Sequence, residues 1–410
     1  MAACCNASDN PYNVLNGELR DGCGATFQNI EQTNQFVGPL LEEVMSTDLF
    51  QYYYVDLFKD PICCPGTGSN SRKMCCNRAC SVDILDDDEI PAIWRQPEEA
   101  VTKGDYELGY SDFFGPPSSL GYSTSVSGSD ADYCELDKYS DQGVYVSLAA
   151  NPERFTGYAG PNANILWSSF YDEDCFSNAN VVGDNDDMED SVTTSEQRLF
   201  RNIISGFHAS VSTHLCYSYL NQTTQEWGPN QKCFEFRVGN FPDRLNSLYF
   251  NYALVTRALV KLGEQIKLNE IELFDQPEAT TSRAKLLELI EALEKKQYDS
   301  ASAKSYLFDE KRMFQTSESR LLKQELRKRF YKISQLVDCV GCDRCRLWAK
   351  IQITGYATAL KLVFEEDPIE STTIAGTRLS KSEVAALVNT FNKISHSVQA
   401  VDYFRSLRTA

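Results

Sequence analysis

Histidine is nearly absent from this chain: its 410 residues hold His208, His214 and His396 and no others. Imidazole is the commonest partner of cysteine in structural zinc sites, so few candidates exist to complete one. Positive charge is also short, 39 Lys and Arg against 58 Asp and Glu, for a net charge of −19. Nucleic acid requires a cationic face to replace its counterions, so that partner class is excluded. An anionic membrane surface is disfavoured for the same reason, which leaves at most peripheral membrane association. A phosphate-bearing cofactor still fits an acidic protein if a few arginines gather at one place. No apolar run approaches the ~18–20 residues of a membrane span. No G-x-G-x-x-G and no P-loop occur, so a bound nucleotide would not sit in a Rossmann crevice. Residues Ala2-Ala3-Cys4-Cys5-Asn6 lack the apolar stretch of a signal peptide, and Met1 is read as standing where a removed signal stood. The ending Leu407-Arg-Thr-Ala410 is no retention tetrapeptide.

Cysteine is plentiful instead. Fifteen are present, too sparse for a miniature disulfide scaffold and high for a cytosolic enzyme. The odd total leaves at least one unpaired within a monomer. Two sequons, Asn6-Ala-Ser8 and Asn221-Gln-Thr223, together with the cysteines point to an oxidising lumen and a glycoprotein.

Residues 1–100 read as a cysteine-rich, largely irregular arm, with Val37–Met45 a short helical candidate. Residues 103–132, rich in Gly, Ser, Pro and Asp, and residues 177–196, with the acidic run Asp184–Asp190, read as loops. From Ser195 the period changes to three and four. Leu199–Tyr219, Leu245–Leu262, a shorter Leu286–Leu293, Leu321–Val337, Leu347–Phe364 and Val384–Leu407 are expected to be amphipathic helices, with Asp367-Pro368 ending the fifth. The expected fold is mainly α, one domain over 1–410 with a helical core over 195–410 and the arm wrapped on it.

Cys339-Val-Gly-Cys342-Asp-Arg-Cys345 is the sharpest local signal. Gly341 breaks one helix and another begins after it, which puts Cys342 and Cys345 on one face of its first turn. There a disulfide can form, and the positive helix end, with Arg344 and Arg346, stabilises a thiolate. The spacing also allows, less favoured, a structural disulfide, or three ligands of a zinc or iron–sulfur site that would want a fourth. Cys75-Cys-Asn-Arg-Ala-Cys80 supplies a second pair, either an electron-carrying pair on a mobile arm or a plain staple.

Four blocks in order resemble the endoplasmic reticulum oxidoreductins, the FAD-dependent thiol oxidases of the secretory pathway. They are Cys75–Asp83 continued by Pro91-Ala-Ile-Trp94, then Asn151-Pro-Glu-Arg-Phe-Thr-Gly-Tyr158 with Trp167, then Ser205-Gly-Phe-His-Ala-Ser210, then Cys339–Lys350. The resemblance implies FAD held in a four-helix core and no metal. Arg154 and Thr156 would help to hold it, Trp167 would pack on a ring, Ser205 and His208 would meet the adenosine side, and Arg244 and Arg257 the pyrophosphate. It implies catalysis by Cys75 and Cys80, passing electrons from a protein disulfide isomerase-like partner to Cys342 and Cys345, with Cys345 against the flavin. Dioxygen would be the final acceptor and hydrogen peroxide the product, by a monomer in the endoplasmic reticulum lumen. Cys63 or Cys64 would bond Cys339, and Cys216 is expected to pair with Cys233. The sequence departs from the family in its doubled cysteines at 63–64 and 75–76 and in the missing partner of Cys175, so regulatory pairings involving Cys76, Cys134 and Cys175 do not transfer. A metal-binding module and a disulfide-stapled secreted binding protein are the alternative readings.

Overall fold

In the computed structural model the residues described are 19, 25–57, 80–95, 143–153, 163–174, 195–268, 271–298, 329–330, 333–334, 336–363 and 379–409. Most of the longest helices are the periodic segments read from Ser195 onward, and Phe27–Met45 and Ala163–Asp174 join them. We label them α1 (Phe27–Met45), α4 (Ala163–Asp174), α5 (Ser195–Tyr217), α7 (Pro242–Lys267), α8 (Thr280–Tyr298), α9 (Asp343–Val363) and α10 (Lys381–Thr409). Short turns of helix α2 (Asp48–Gln51), α3 (Ala92–Arg95) and α6 (Gln231–Phe234) lie between them.

Helix α7 is the centre. Pro242 starts it, where the missing N–H costs nothing, Asp243 sits in its first turn and Lys267 in its last, each matching the helix dipole. Its side chains from Leu245 to Val260 are buried on nearly every face apart from Arg257. Such a helix is stable only with partners all round, and α5, α9 and α10 pack on it and on one another. Asn251 ties three of the four together, its Nδ2 donating to the Ile203 carbonyl of α5 and to Tyr356 Oη of α9, both at 3.0 Å. Two glycines permit the closest crossings. A Cβ on Gly206 of α5 would collide with the Ser247 carbonyl of α7, and one on Gly355 of α9 with Thr390 and the Ala386 carbonyl of α10.

Helix α10 opens on a capping box: Ser380 N–H donates to Glu383 Oε2 (2.8 Å), and Glu383 N–H to Ser380 Oγ (3.1 Å). Glu383 also pairs with Lys361 at 3.2 Å, and both side chains are buried, which joins the end of α9 to the start of α10. The helix therefore begins at Lys381, three residues before the apolar pattern starts at Val384. Helix α1 begins ten residues ahead of the expected Val37, because polar Thr33 and Asn34 occupy buried positions and interrupt the apolar period.

Short strands, absent from the sequence reading, complete the fold. Strand β1 (Tyr52–Val55) pairs antiparallel with β2 (Val144–Ser147), Tyr53 opposite Val146. On the other edge of β2, Ile84 bridges to Val146 and Leu85 N–H donates to the Tyr145 carbonyl at 2.9 Å. Strands β3 (Tyr219–Leu220) and β4 (Trp227–Gly228) form a hairpin. The Cys216–Cys233 disulfide spans its base, a closure of this length being worth about 3 kcal/mol in the chain-entropy model. The loop 103–132, residues 177–194 of the second expected loop, and Asp367-Pro368 lie outside the described residues; Ser195 and Glu196 already belong to α5.

Candidate active site

Gly341 and Cys342 interrupt the chain between a helical turn and α9, so Cys342 stands immediately before the helix and Cys345 in its first turn. Cys345 N–H donates to Cys342 Sγ at 3.3 Å, placing that sulfur where an N-cap oxygen would sit, at the positive end of a 21-residue helix. Both sulfurs are buried, and Cys345 Sγ lies 2.7 Å from Cys342 Sγ.

The expected Cys342–Cys345 disulfide is not the bond the structure holds. Cys342 is bonded to Cys80 of the arm, and the sulfurs of Cys80, Cys342 and Cys345 lie within 4.8 Å of one another. The arm is brought there by the helix itself. Arg344 N–H donates to the Cys80 carbonyl at 3.0 Å, and Arg344 Nε donates to the Ser81 carbonyl at 2.8 Å. Arg346 reaches the Leu57 carbonyl and Asp343. The arginines, expected to supply charge to a thiolate, also hold backbone. Cys339 is disulfide-bonded as well. With Cys339 and Cys342 both bonded, the three-thiolate set that a zinc or iron–sulfur site needs is not assembled. Cys63, Cys64 and Cys75 lie outside the described residues.

One face of α9 continues from Cys345 to Trp348 and Gln352. Trp348 Nε1 donates to the Asn151 carbonyl (2.9 Å), and Gln352 Nε2 to Glu153 Oε1 (3.2 Å). Lys393 of α10 completes this buried layer, 3.5 Å from Glu153 Oε2 and 4.0 Å from the centre of the Trp348 ring. Burial holds the Glu153 carboxyl above its usual range despite Lys393 and Gln352, which pull the other way.

A second cluster forms where α4, α5 and the start of α7 meet. The Trp167 and His208 rings stack at 4.0 Å and 17°, and Tyr171 Oη hydrogen-bonds His208 Nδ1 at 2.9 Å. Burial, with the charges of Arg244 and Arg237 acting in the same direction, lowers the His208 pKa to about 3, so the ring is neutral at physiological pH. Ser205 lies one turn before His208 on α5. Arg244 stacks on Phe241 at 4.1 Å and donates to the Arg237 carbonyl. Burial, and then the Arg244 charge, lower the pKa of Arg237. Two guanidiniums close enough to repel, beside stacked flat rings, are relieved by an anion with an aromatic group attached. This donor set fits a dinucleotide such as FAD.

Of the residues expected at the cofactor, the structure thus brings Trp167, Ser205, His208 and Arg244 to one end of the bundle. Arg257 lies about 20 Å further along the α7 axis, and Arg154 and Thr156 are outside the described residues. Arg237 was missed. It sits in a five-residue π-turn, Glu235–Gly239, and helical spacing from Arg244 does not reveal it. The basic residue just upstream of Phe241-Pro-Asp-Arg244 was the available signal. Asn151, Glu153 and Lys393 were also missed as site residues.

A buried pair of cysteines at a helix N-terminus, one of them joined to a cysteine of a docked arm, defines a helical thiol–disulfide oxidoreductase. Residues 36–401 match the family Endoplasmic Reticulum Oxidoreductin 1 (ERO1). Over 404 residues the chain is 35% identical to endoplasmic oxidoreductin-1 of Saccharomyces cerevisiae, covering 96% of this chain and 67% of that protein. It is 36% identical over 464 residues to endoplasmic reticulum oxidoreductin-1 of Neurospora crassa, covering 95% and 68%. For ERO1-like protein alpha of Homo sapiens the identity is 33% over 434 residues, covering 94% and 90%. The solved structure of Ero1p, described as a source of disulfide bonds for oxidative protein folding in the cell, superposes with a TM-score of 0.64. It is 34% identical and matches 93% of this chain and 98% of that one. The chain therefore belongs to the ERO1 family of oxidoreductases that form disulfides. Among the described residues, no helix is long and apolar enough to cross a membrane.

Proposed function

We propose that this protein makes disulfides de novo, passing electrons from a protein disulfide isomerase-like dithiol through Cys75/Cys80 and Cys342/Cys345 to FAD and on to dioxygen. The observation that carries the reading is the Cys80–Cys342 disulfide with Cys345 Sγ 2.7 Å from Cys342 Sγ. That is the bonding expected midway through an exchange between two cysteine pairs.

A partner dithiol attacks the Cys75–Cys80 disulfide and leaves oxidised, which reduces the arm. The Cys80 thiolate attacks Cys342, forming Cys80–Cys342 and expelling Cys345 as a thiolate. Cys75 then attacks Cys80, restoring the arm disulfide and leaving Cys342 and Cys345 as the reduced pair. Cys342 is the sulfur the arm engages, so Cys345 is the inner sulfur that faces the acceptor. The Cys345 N–H and the helix end favour the thiolate forms that both exchanges need. FAD, when bound, supplies the electron-pair acceptor and its reoxidation by dioxygen to hydrogen peroxide. Trp167 and His208 suit its flat rings and Arg237 and Arg244 its pyrophosphate. The setting consistent with this chemistry is a monomer in the endoplasmic reticulum lumen, with Asn221 glycosylated.

Two variants test it. Cys345→Ser should stop oxygen uptake with every thiol, because neither the Cys342–Cys345 disulfide that the arm attacks nor the inner thiolate that serves the acceptor can then form. Replacing Cys75, Cys76 and Cys80 together by Ala should abolish uptake with a reduced isomerase-like protein while small dithiols, which reach Cys342–Cys345 directly, still turn over. Wild-type rates with the protein substrate in the triple variant would end the shuttle reading.

A further inference from the structure

The arm reaches Cys342 along a track that recognises its backbone. Cys80 and Val82 pack against the core, whereas Ser81 and Asp83 are exposed, the alternation of an extended strand over these four residues. Past Asp83 the segment bridges to Val146 and bonds to Tyr145 of β2. Before it, Arg344 takes the Cys80 and Ser81 carbonyls. Between these two anchors stands Asn151, fully buried. Its Oδ1 accepts from Asp83 N–H at 2.7 Å and its Nδ2 donates to the Asp83 carbonyl at 2.9 Å. One amide side chain thus satisfies both main-chain groups of one arm residue, as a neighbouring strand would. Asn151 is itself fixed. Its N–H and its Nδ2 both donate to the Ser147 carbonyl at the end of β2 (3.1 and 3.0 Å), and its carbonyl accepts from Trp348, three residues past Cys345.

We propose that Asn151 is a positioning residue for electron transfer: with Arg344 it forms a cradle that reads the main chain of residues 80–83 and sets which arm sulfur meets Cys342. The cradle is tied through Trp348 to the same helix that carries Cys342 and Cys345, so the docked arm and the buried pair keep one register. Recognition through main-chain groups leaves the exposed side chains of the arm free to vary. The Arg344–Asp83 ion pair, 3.8 Å with the Asp83 side chain 71% exposed, adds little. The proposal rests on the shuttle reading for its purpose, but its geometry is testable without turnover.

The background for the test is full-length protein carrying Cys75→Ser, Cys76→Ser and Cys345→Ser. In it, Cys80–Cys342 opens by exchange with two reduced glutathiones, giving two thiols and one oxidised glutathione. Titration against a glutathione redox buffer, read by peptide mapping after acid quench, yields the effective concentration of one sulfur at the other. Asn151→Ala should lower it about tenfold to thirtyfold, the worth of two buried hydrogen bonds. Asp83→Pro removes the N–H that donates to Asn151 Oδ1 and should lower it about tenfold. Asp83→Ala keeps both main-chain groups and should stay within about twofold. An Asp83→Pro value within twofold of the background, or an equal loss in Asp83→Ala, would overturn main-chain recognition. Loss in the titration combined with wild-type oxygen uptake in the Cys75/Cys76/Cys80 variant would instead retain the cradle and reject the shuttle.

Discussion

Acid should destabilise this protein through its buried histidines, and His214 isolates the effect. Its ring lies between α5 and α10, with Nε2 donating to the Lys393 carbonyl at 3.0 Å and 3.1 Å from Ser397 Oγ. Ser397 in turn meets Ser210 at 2.7 Å. Burial lowers its pKa from 6.5 to about 3, the Lys393 charge adding to this and the hydrogen bond to the Lys393 carbonyl opposing it. The folded pKa is below the unfolded one, so below pH 6.5 the unfolded chain binds the extra proton. The stabilisation is complete above pH 6.5 and is lost progressively as pH falls toward 3. Between pH 7 and pH 5 this amounts to about 2 kcal/mol for one such group. His208, lowered to about 3 as well, adds about the same in flavin-free protein. Glu153 acts in the opposite sense, since protonating a carboxyl whose pKa is raised relieves its burial. A total slope would therefore mix signs, and the difference between two proteins is the clean measurement. His214→Gln keeps an N–H donor for the Lys393 carbonyl and removes the titration. Urea unfolding with disulfides intact, at pH 7 and pH 5 and constant ionic strength, should show the variant losing about 2 kcal/mol less than wild type over that interval. Equal losses in the two proteins would refute the assignment of His214 as a neutral buried ring.

Other expectations follow from the same geometry. Arg237→Leu should weaken FAD binding about tenfold or more, seen as flavin lost on dialysis with helicity unchanged, since a charge-assisted bond to phosphate is worth about 1.5–3 kcal/mol. If flavin retention is unaffected, the anion does not sit between Arg237 and Arg244. Gly206→Val should cost at least about 1–3 kcal/mol in thermal or urea unfolding, because its side chain would meet both the Ser247 carbonyl of α7 and the Asn251 amide, which is itself held by Ile203 and Tyr356. Asn221 is exposed at the start of the turn that joins β3 to β4, so Asn221→Gln should remove a glycosidase-sensitive mass shift from protein made in a secretory host. A wild-type chain without that shift would show the sequon to be unused.

Much of the fold was readable because its helices carry their own period. Leu199–Tyr219, Leu245–Leu262 and Leu347–Phe364 each repeat apolar residues at three and four, and each coincides with a long helix, except that the first helix stops at Tyr217 and Tyr219 belongs to β3, while Phe364 lies outside the described residues. Strands β1 and β2 escaped because four residues give a period of two no room to show, and they exist only through pairing across a long sequence gap. The start of α10 was written in Ser380 and Glu383, but a capping box is a weaker signal than an apolar stripe.

What the sequence by itself determined is the chemistry on offer: which cysteines are available, that Cys342 and Cys345 stand at the beginning of a helix, and that arginines and flat aromatic rings exist for a nucleotide. These are local properties, decided by residue type and short spacing. What only the tertiary structure decided is which groups meet. The bond from Cys80 to Cys342 crosses 262 positions. The approach of Arg237 to Arg244 depends on a π-turn, and the grip of Asn151 on Asp83 spans 68 positions. Contacts at such separations are chosen by how α5, α7, α9 and α10 bury their apolar faces, a collective property of packing to which no single segment holds the key.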